Sequence, residues 1–121
     1  MTRRADLQSL LPLKPVELEL LLALVDQERH GYGLVLEIAN RTDGLIQLEP
    51  GNLYRIIKRL LAGGLVEESS RRAAPEAGDE RRRYYRLTAF GGRVTAAELK
   101  RMRTLLGSTP VRAFERRFGT A

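Results

Sequence analysis

P-G-N-L-Y-R-I-I-K-R-L-L-A-G-G, from Pro50 to Gly64, is the stretch that decides how the rest of the chain is read. Its apolar residues Leu53, Ile56, Ile57, Leu60 and Leu61 recur at i, i+3, i+4, i+7 and i+8, which lines one side of an α-helix. At about 100° per residue, Asn52, Arg55, Lys58 and Arg59 project away from that stripe, with Tyr54 at its flank. No acidic residue occurs between Pro50 and Val66. Pro50 suits the first helical turn, and Gly63 and Gly64 supply a stop with φ > 0. The segment reads as a helix that offers a cationic face to DNA. An ordinary solvated helix can carry the same face, so the flanking sequence has to discriminate.

Upstream, residues 1–14 form an N-terminal arm in which Pro12 and Pro15 limit any helix. From Pro15 the run V-E-L-E-L-L-L-A-L-V predicts a first helix, apolar around most of its circumference and therefore mostly buried, with Glu17 and Glu19 in the favourable first turn. His30-Gly31-Tyr32-Gly33 opens a second helix that carries Leu34, Val35, Ile38 and Ala39 and ends near Thr42-Asp43-Gly44. A short extended piece, Leu45 to Leu48, leads into the cationic helix. Three helices with short connections, the last amphipathic and basic, have the layout of a helix-turn-helix core.

Downstream the period changes. Leu65 to Ser69 and Arg83 to Thr88 read as two strands, the second rich in Tyr. Alternation puts Tyr85 and Leu87 on the core side and Tyr84 on the other. Between the strands, residues 70–82 carry Arg71, Arg72, Arg81 and Arg82 along with Glu76, Asp79 and Glu80. Two strands joined by an Arg-rich loop directly after a basic helix look like a wing. Thr88 then N-caps a fourth helix running to about Gly107. Phe90, Val94, Ala97 and Leu105 point one way along it, and Leu99, Met102 and Leu106 point another, leaving a second apolar sector in search of a partner. The tail pairs Phe114 with Phe118 at i, i+4, either as a short docking helix or as a frayed end.

Composition narrows the functions available. The 121 residues suit one domain, and 43% hydrophobic content fits a globular protein. There is no cysteine and His30 is the only histidine, which removes disulfides, thiolate chemistry and nearly every zinc arrangement. No nucleophile–base pair, paired carboxylate site or phosphate-cradling loop is visible, so an enzyme is the weakest reading and no cofactor is expected. No apolar run approaches a membrane span and no secretory signal follows Arg3 and Arg4, which predicts a cytoplasmic protein. The net charge is +6, and residues 61–121 hold 13 Lys and Arg against 7 acids while residues 1–60 balance at 8 each. Basic asymmetry of this kind favours a polyanionic partner.

Several motifs in order carry a family resemblance: H-G-Y-G at His30 to Gly33, P-G-N-L-Y-R at Pro50 to Arg55, K-R-L at Lys58 to Leu60, G-L-V-E at Gly64 to Glu67, and R-R-R-Y-Y-R-L-T at Arg81 to Thr88 followed by Gly91. Together they resemble the PadR family of bacterial transcriptional regulators, over about Leu18 to Gly107. The resemblance implies a mainly α protein with a small β wing (α+β), a winged helix-turn-helix whose C-terminal dimerisation helix pairs two protomers. It also implies repression of nearby promoters, relieved by a small hydrophobic or phenolic effector. On this basis the chain divides into an arm (1–14), a winged helix-turn-helix DNA-binding domain (15–88), a dimerisation helix (89–107) and a C-terminal tail (108–121). Where the family often has Ser-Pro-Gly-Thr entering the third helix, this chain has Glu49-Pro50-Gly51-Asn52, and Glu is the poorer N-cap. There is no tryptophan to form an aromatic effector platform.

The residues expected at double-stranded DNA are Tyr32, Gly51, Asn52, Tyr54, Arg55, Lys58, Arg59, Arg72, Arg81 and Arg82. Gly31, Tyr32 and Gly33 also suit close helix packing, with the Tyr32 hydroxyl free for backbone or phosphate. Tyr54 fits equally a groove between helices or a phosphate contact. Arg55 is the best base reader, since its planar fork matches O6 and N7 of guanine, whereas Lys58 and Arg59 suit phosphates. Asn52 either caps the helix or reaches a base edge. In the wing, Arg71, Arg72, Arg81, Arg82 and Arg83 are alternatives for minor-groove or phosphate contact. A dimer would enclose an apolar effector cavity lined by Leu18, Leu22, Leu99, Met102 and Leu106. The competing expectation is a winged-helix module that binds a protein through the second apolar sector and the Phe114/Phe118 tail and reads no DNA.

Overall fold

A computed structural model describes residues 6–72 and 83–119 of the chain, with the side chains of Arg71 and Arg72 excepted. A short 3₁₀ turn, Leu7–Leu10, is followed by α1 (Pro15–Ala23), β1 (Arg29–His30), α2 (Gly31–Arg41), α3 (Pro50–Ala62), β2 (Val66–Arg72), β3 (Arg83–Leu87), α4 (Ala89–Leu106) and α5 (Thr109–Phe118). The three strands make one antiparallel sheet in the order β1-β3-β2, with Arg29 opposite Tyr85 and Val66 opposite Leu87. The architecture is a winged helix-turn-helix with two further helices at its C-terminal end.

The core forms where the apolar stripes converge. Leu18, Leu20, Leu21 and Ala23 of α1 meet Leu34 and Ile38 of α2 and Leu53, Ile56, Ile57 and Leu60 of α3, and Val66, Tyr85, Phe90 and Val94 close the far side. Leu61, expected in the α3 stripe, lies at its margin and is partly exposed. The first helix stops at Ala23, shorter than its apolar run suggests, because Leu24 leaves helical geometry and Val25 points to solvent. Arg29 then donates from Nε to the Ala23 carbonyl at 2.6 Å, satisfying one of the acceptors that a helix end leaves open.

Two side chains set the starts of later helices, His30 for α2 and Thr88 for α4. The His30 Nδ1 accepts the Gly33 N–H at 3.1 Å, so the lone histidine is the N-cap of α2, and its ring meets Tyr84 edge-on at 5.1 Å. The Thr88 hydroxyl accepts the Gly91 N–H at 2.9 Å and donates to the Gly64 carbonyl at 2.6 Å. Of the two glycines closing α3, only Gly64 takes a positive φ, +77°.

Two packing expectations are corrected. Tyr32 does not fill the gap between the first two helices; it is exposed, and the close approach at Gly31 is instead to α3, where a methyl group would meet the Tyr54 hydroxyl. In α4, Leu105 does not join the core but is exposed, because the buried stripe of that helix runs Phe90, Val94 and then Glu98 rather than a further aliphatic residue. The N-terminal arm is more structured than its prolines suggest: Asp6 caps the 3₁₀ turn, and Leu13 is buried.

Candidate nucleic-acid interface

The outer face of α3 follows from its inner one. Burial of Leu53, Ile56, Ile57 and Leu60 against α1 and α2 leaves Gly51, Asn52, Arg55, Lys58 and Arg59 exposed on the opposite side. Among the described residues no carboxylate pairs with Arg55 or Lys58, so both heads are solvated and available to a polyanion. Arg59 differs: its guanidinium stands 3.7 Å from Glu17 of α1. Its face is therefore already part-neutralised.

At the N-terminus of α3 no side-chain hydrogen bond caps the helix, so neither Glu49 nor Asn52 does so. The first-turn N–H groups stay open to solvent beside the exposed Asn52, an arrangement suited to an anionic oxygen. Tyr54 is half-buried on Gly31, which makes packing its first role. Exposed Tyr32 stands at the start of α2.

A groove of about 490 Å³ runs beside α3, with Lys14, Asn52, Arg55 and Arg59 on its polar walls and Leu45, Ile46 and Leu48 among its apolar ones. Sequence reasoning missed Lys14 because it belongs to the arm, 41 positions before Arg55, and only the fold joins them.

In the wing, Arg86 bonds Glu67 across the strands at 2.7 Å and lies 3.7 Å from Glu28. Arg83 stands 3.9 Å from Glu68. These arginines are engaged with the sheet's own acids. Arg81, Arg82 and the side chains of Arg71 and Arg72 lie outside the described residues.

The residues named for an effector cavity separate. Leu18 is buried in the core, Leu22, Leu99 and Met102 are half-buried against it, and Leu106 is 62% exposed with Leu105 beside it. Among the described residues no cluster of His, Asp or Glu can hold a metal ion, and no helix is long and apolar enough to cross a membrane.

An exposed cationic third helix on a three-helix core, followed by a β wing, defines a winged helix-turn-helix protein. Residues 20–97 match the Transcriptional regulator PadR-like family, and the chain belongs to that family. That family is one of transcriptional regulators. An uncharacterised protein of Lysinibacillus sphaericus is 31% identical over 68 residues, a match covering 56% of this chain and 60% of that relative's length. A PadR family regulator from Eggerthella lenta is 28% identical over 74% of this chain and 73% of its own, with a TM-score of 0.60. The Bacillus subtilis PadR in complex with operator DNA is 19% identical, covers 71% of this chain and 47% of its own, and superposes with a TM-score of 0.60.

Proposed function

We propose that this protein is a sequence-specific, dimeric DNA-binding repressor that works in the cytoplasm on an inverted-repeat operator. The observation that carries this reading is the exposed Arg55 and Lys58, without a carboxylate partner among the described residues, on a helix whose other side is locked into the core. Two copies of α3 enter successive major grooves about one helical turn apart, giving half-sites spaced by roughly 10 bp. Arg55 reads a guanine edge, Lys58 holds a phosphate, and the uncapped start of α3 with Gly51 and Asn52 meets a second phosphate. Tyr32 and the wing arginines Arg72, Arg81 and Arg82 supply further backbone contacts.

Pairing through α4 encloses Leu22, Leu99, Met102 and Leu106 between protomers, the seat assigned to a small hydrophobic or phenolic effector. Such a ligand releases the operator only by binding the non-DNA geometry of the dimer more tightly.

A mobility-shift assay on the DNA upstream of the protein's own coding sequence tests the reading. With roughly 6 to 10 phosphate contacts, affinity falls about 10³- to 10⁵-fold between 50 and 200 mM salt. Arg55→Ala relaxes base preference, whereas Lys58→Ala weakens all sequences alike. Equal binding to every duplex at every salt concentration overturns the proposal. A monomer without DNA affinity points instead to a protein-binding module.

A further inference from the structure

We propose that the groove between the start of α1 and the flank of α3 seats one strand of the DNA backbone, with Lys14 as a phosphate-binding residue. The inference rests on the DNA-binding reading above and extends its interface to a residue outside the helix-turn-helix proper.

The groove shares an edge with the cationic face. Asn52, Arg55 and Arg59 lie at i, i+3 and i+7, so their stripe runs along the length of α3 and not merely at its tip. Lys14 closes the facing wall, which sets cations on both sides of one channel. A single carboxylate fixes their separation. Glu17 accepts the Lys14 backbone N–H at 2.9 Å and holds the Arg59 guanidinium at 3.7 Å, tying the first turn of α1 to α3. The Lys14 backbone is thereby pinned, and its side chain is exposed with no ion pair among the described residues.

The apolar part of the channel fits the same ligand. Leu45 is 85% exposed and stands with Ile46 and Leu48 in the lining. A sugar–phosphate strand alternates anionic oxygens with the CH edges of deoxyribose, and so matches walls that alternate ammonium or guanidinium groups with aliphatic side chains. Phosphate contacts of this sort position the protein without reading sequence.

Fluorescence polarisation with a mixed-sequence duplex and with the protein's own upstream DNA, between 50 and 300 mM salt as a working range, tests the proposal on the full chain. Lys14→Ala weakens both duplexes by the same factor and lowers the salt slope by about one for each protomer bound. Lys14→Arg restores the slope. Thermal unfolding of the two variants matches wild type, since the Glu17 bond uses only the Lys14 main chain. Wild-type affinity and slope in Lys14→Ala, or a change in sequence preference instead of a uniform loss, overturns the assignment. A wild-type protein that binds neither duplex overturns the DNA-binding reading itself, which is a distinct result.

Discussion

Glu98 is a carboxylate at 2% exposure, the third member of the buried stripe begun by Phe90 and Val94. A charge in that position needs partners. Arg101 supplies a two-pronged bond at 2.8 and 2.9 Å, and the Leu13 backbone adds a smaller stabilising effect on the charged form. The Arg101 bond comes first in holding the Glu98 pKa below the ordinary carboxylate range, against the opposing effect of burial. A carboxyl whose folded pKa lies below its unfolded value, about 4.3, stabilises the fold at pH values above the unfolded one. That contribution is lost as pH falls through the lowered folded value. Glu98→Gln therefore unfolds more easily at neutral pH, by roughly 1–3 kcal/mol. Its deficit against wild type shrinks as pH drops below about 4, measurable by urea titration across pH. A deficit independent of pH contradicts this account.

At the scale of elements, α4 meets the turn after α3 with no room for a side chain at Gly91. A Cβ on Gly91 would overlap the Leu65 carbonyl, and main chain cannot step aside as a side-chain tip can. Gly91→Ala is expected to cost about 1–3 kcal/mol, while Gly92→Ala, where a Cβ meets nothing, stays near neutral in thermal melts. Elements with one clear period were legible in the sequence. The α3 stripe, the Thr88 cap and the alternation that buries Tyr85 all follow from local spacing. What was not legible depends on distant partners. The two-residue strand Arg29–His30 exists only because Tyr84 and Tyr85 offer it an edge, and no run of two residues signals that. Tyr54 takes the packing alternative of its two and Tyr32 is exposed, because sequence shows which tyrosines flank a glycine, not which ring reaches it. Of the candidate site, Arg55 and Lys58 could be placed from the helix alone. The Glu17 partner of Arg59 and the approach of Lys14 could not, since they join α1 to α3 across the fold.

For the whole molecule, four exposed apolar side chains follow one another on the two C-terminal helices. Leu105 and Leu106 close α4, and Phe114 and Phe118 stack at 4.9 Å on α5, all more than half exposed. A single large apolar residue at the surface is ordinary, but four on consecutive helices favour a partner. If that partner is a second copy, as the repressor reading requires, Leu105→Ser with Leu106→Ser shifts the protein toward monomer in sedimentation and weakens operator binding. A variant that remains a dimer places the pairing surface elsewhere.

The Thr88 hydroxyl links the close of α3 to the start of α4, and Gly91 rests on Leu65 without a gap. The end of the reading helix, the root of the wing and the base of α4 therefore meet at one joint with no slack. If two copies pair through α4, as the repressor reading requires, a change in the angle between the two α4 helices is carried through that joint to α3 and the wing without loss.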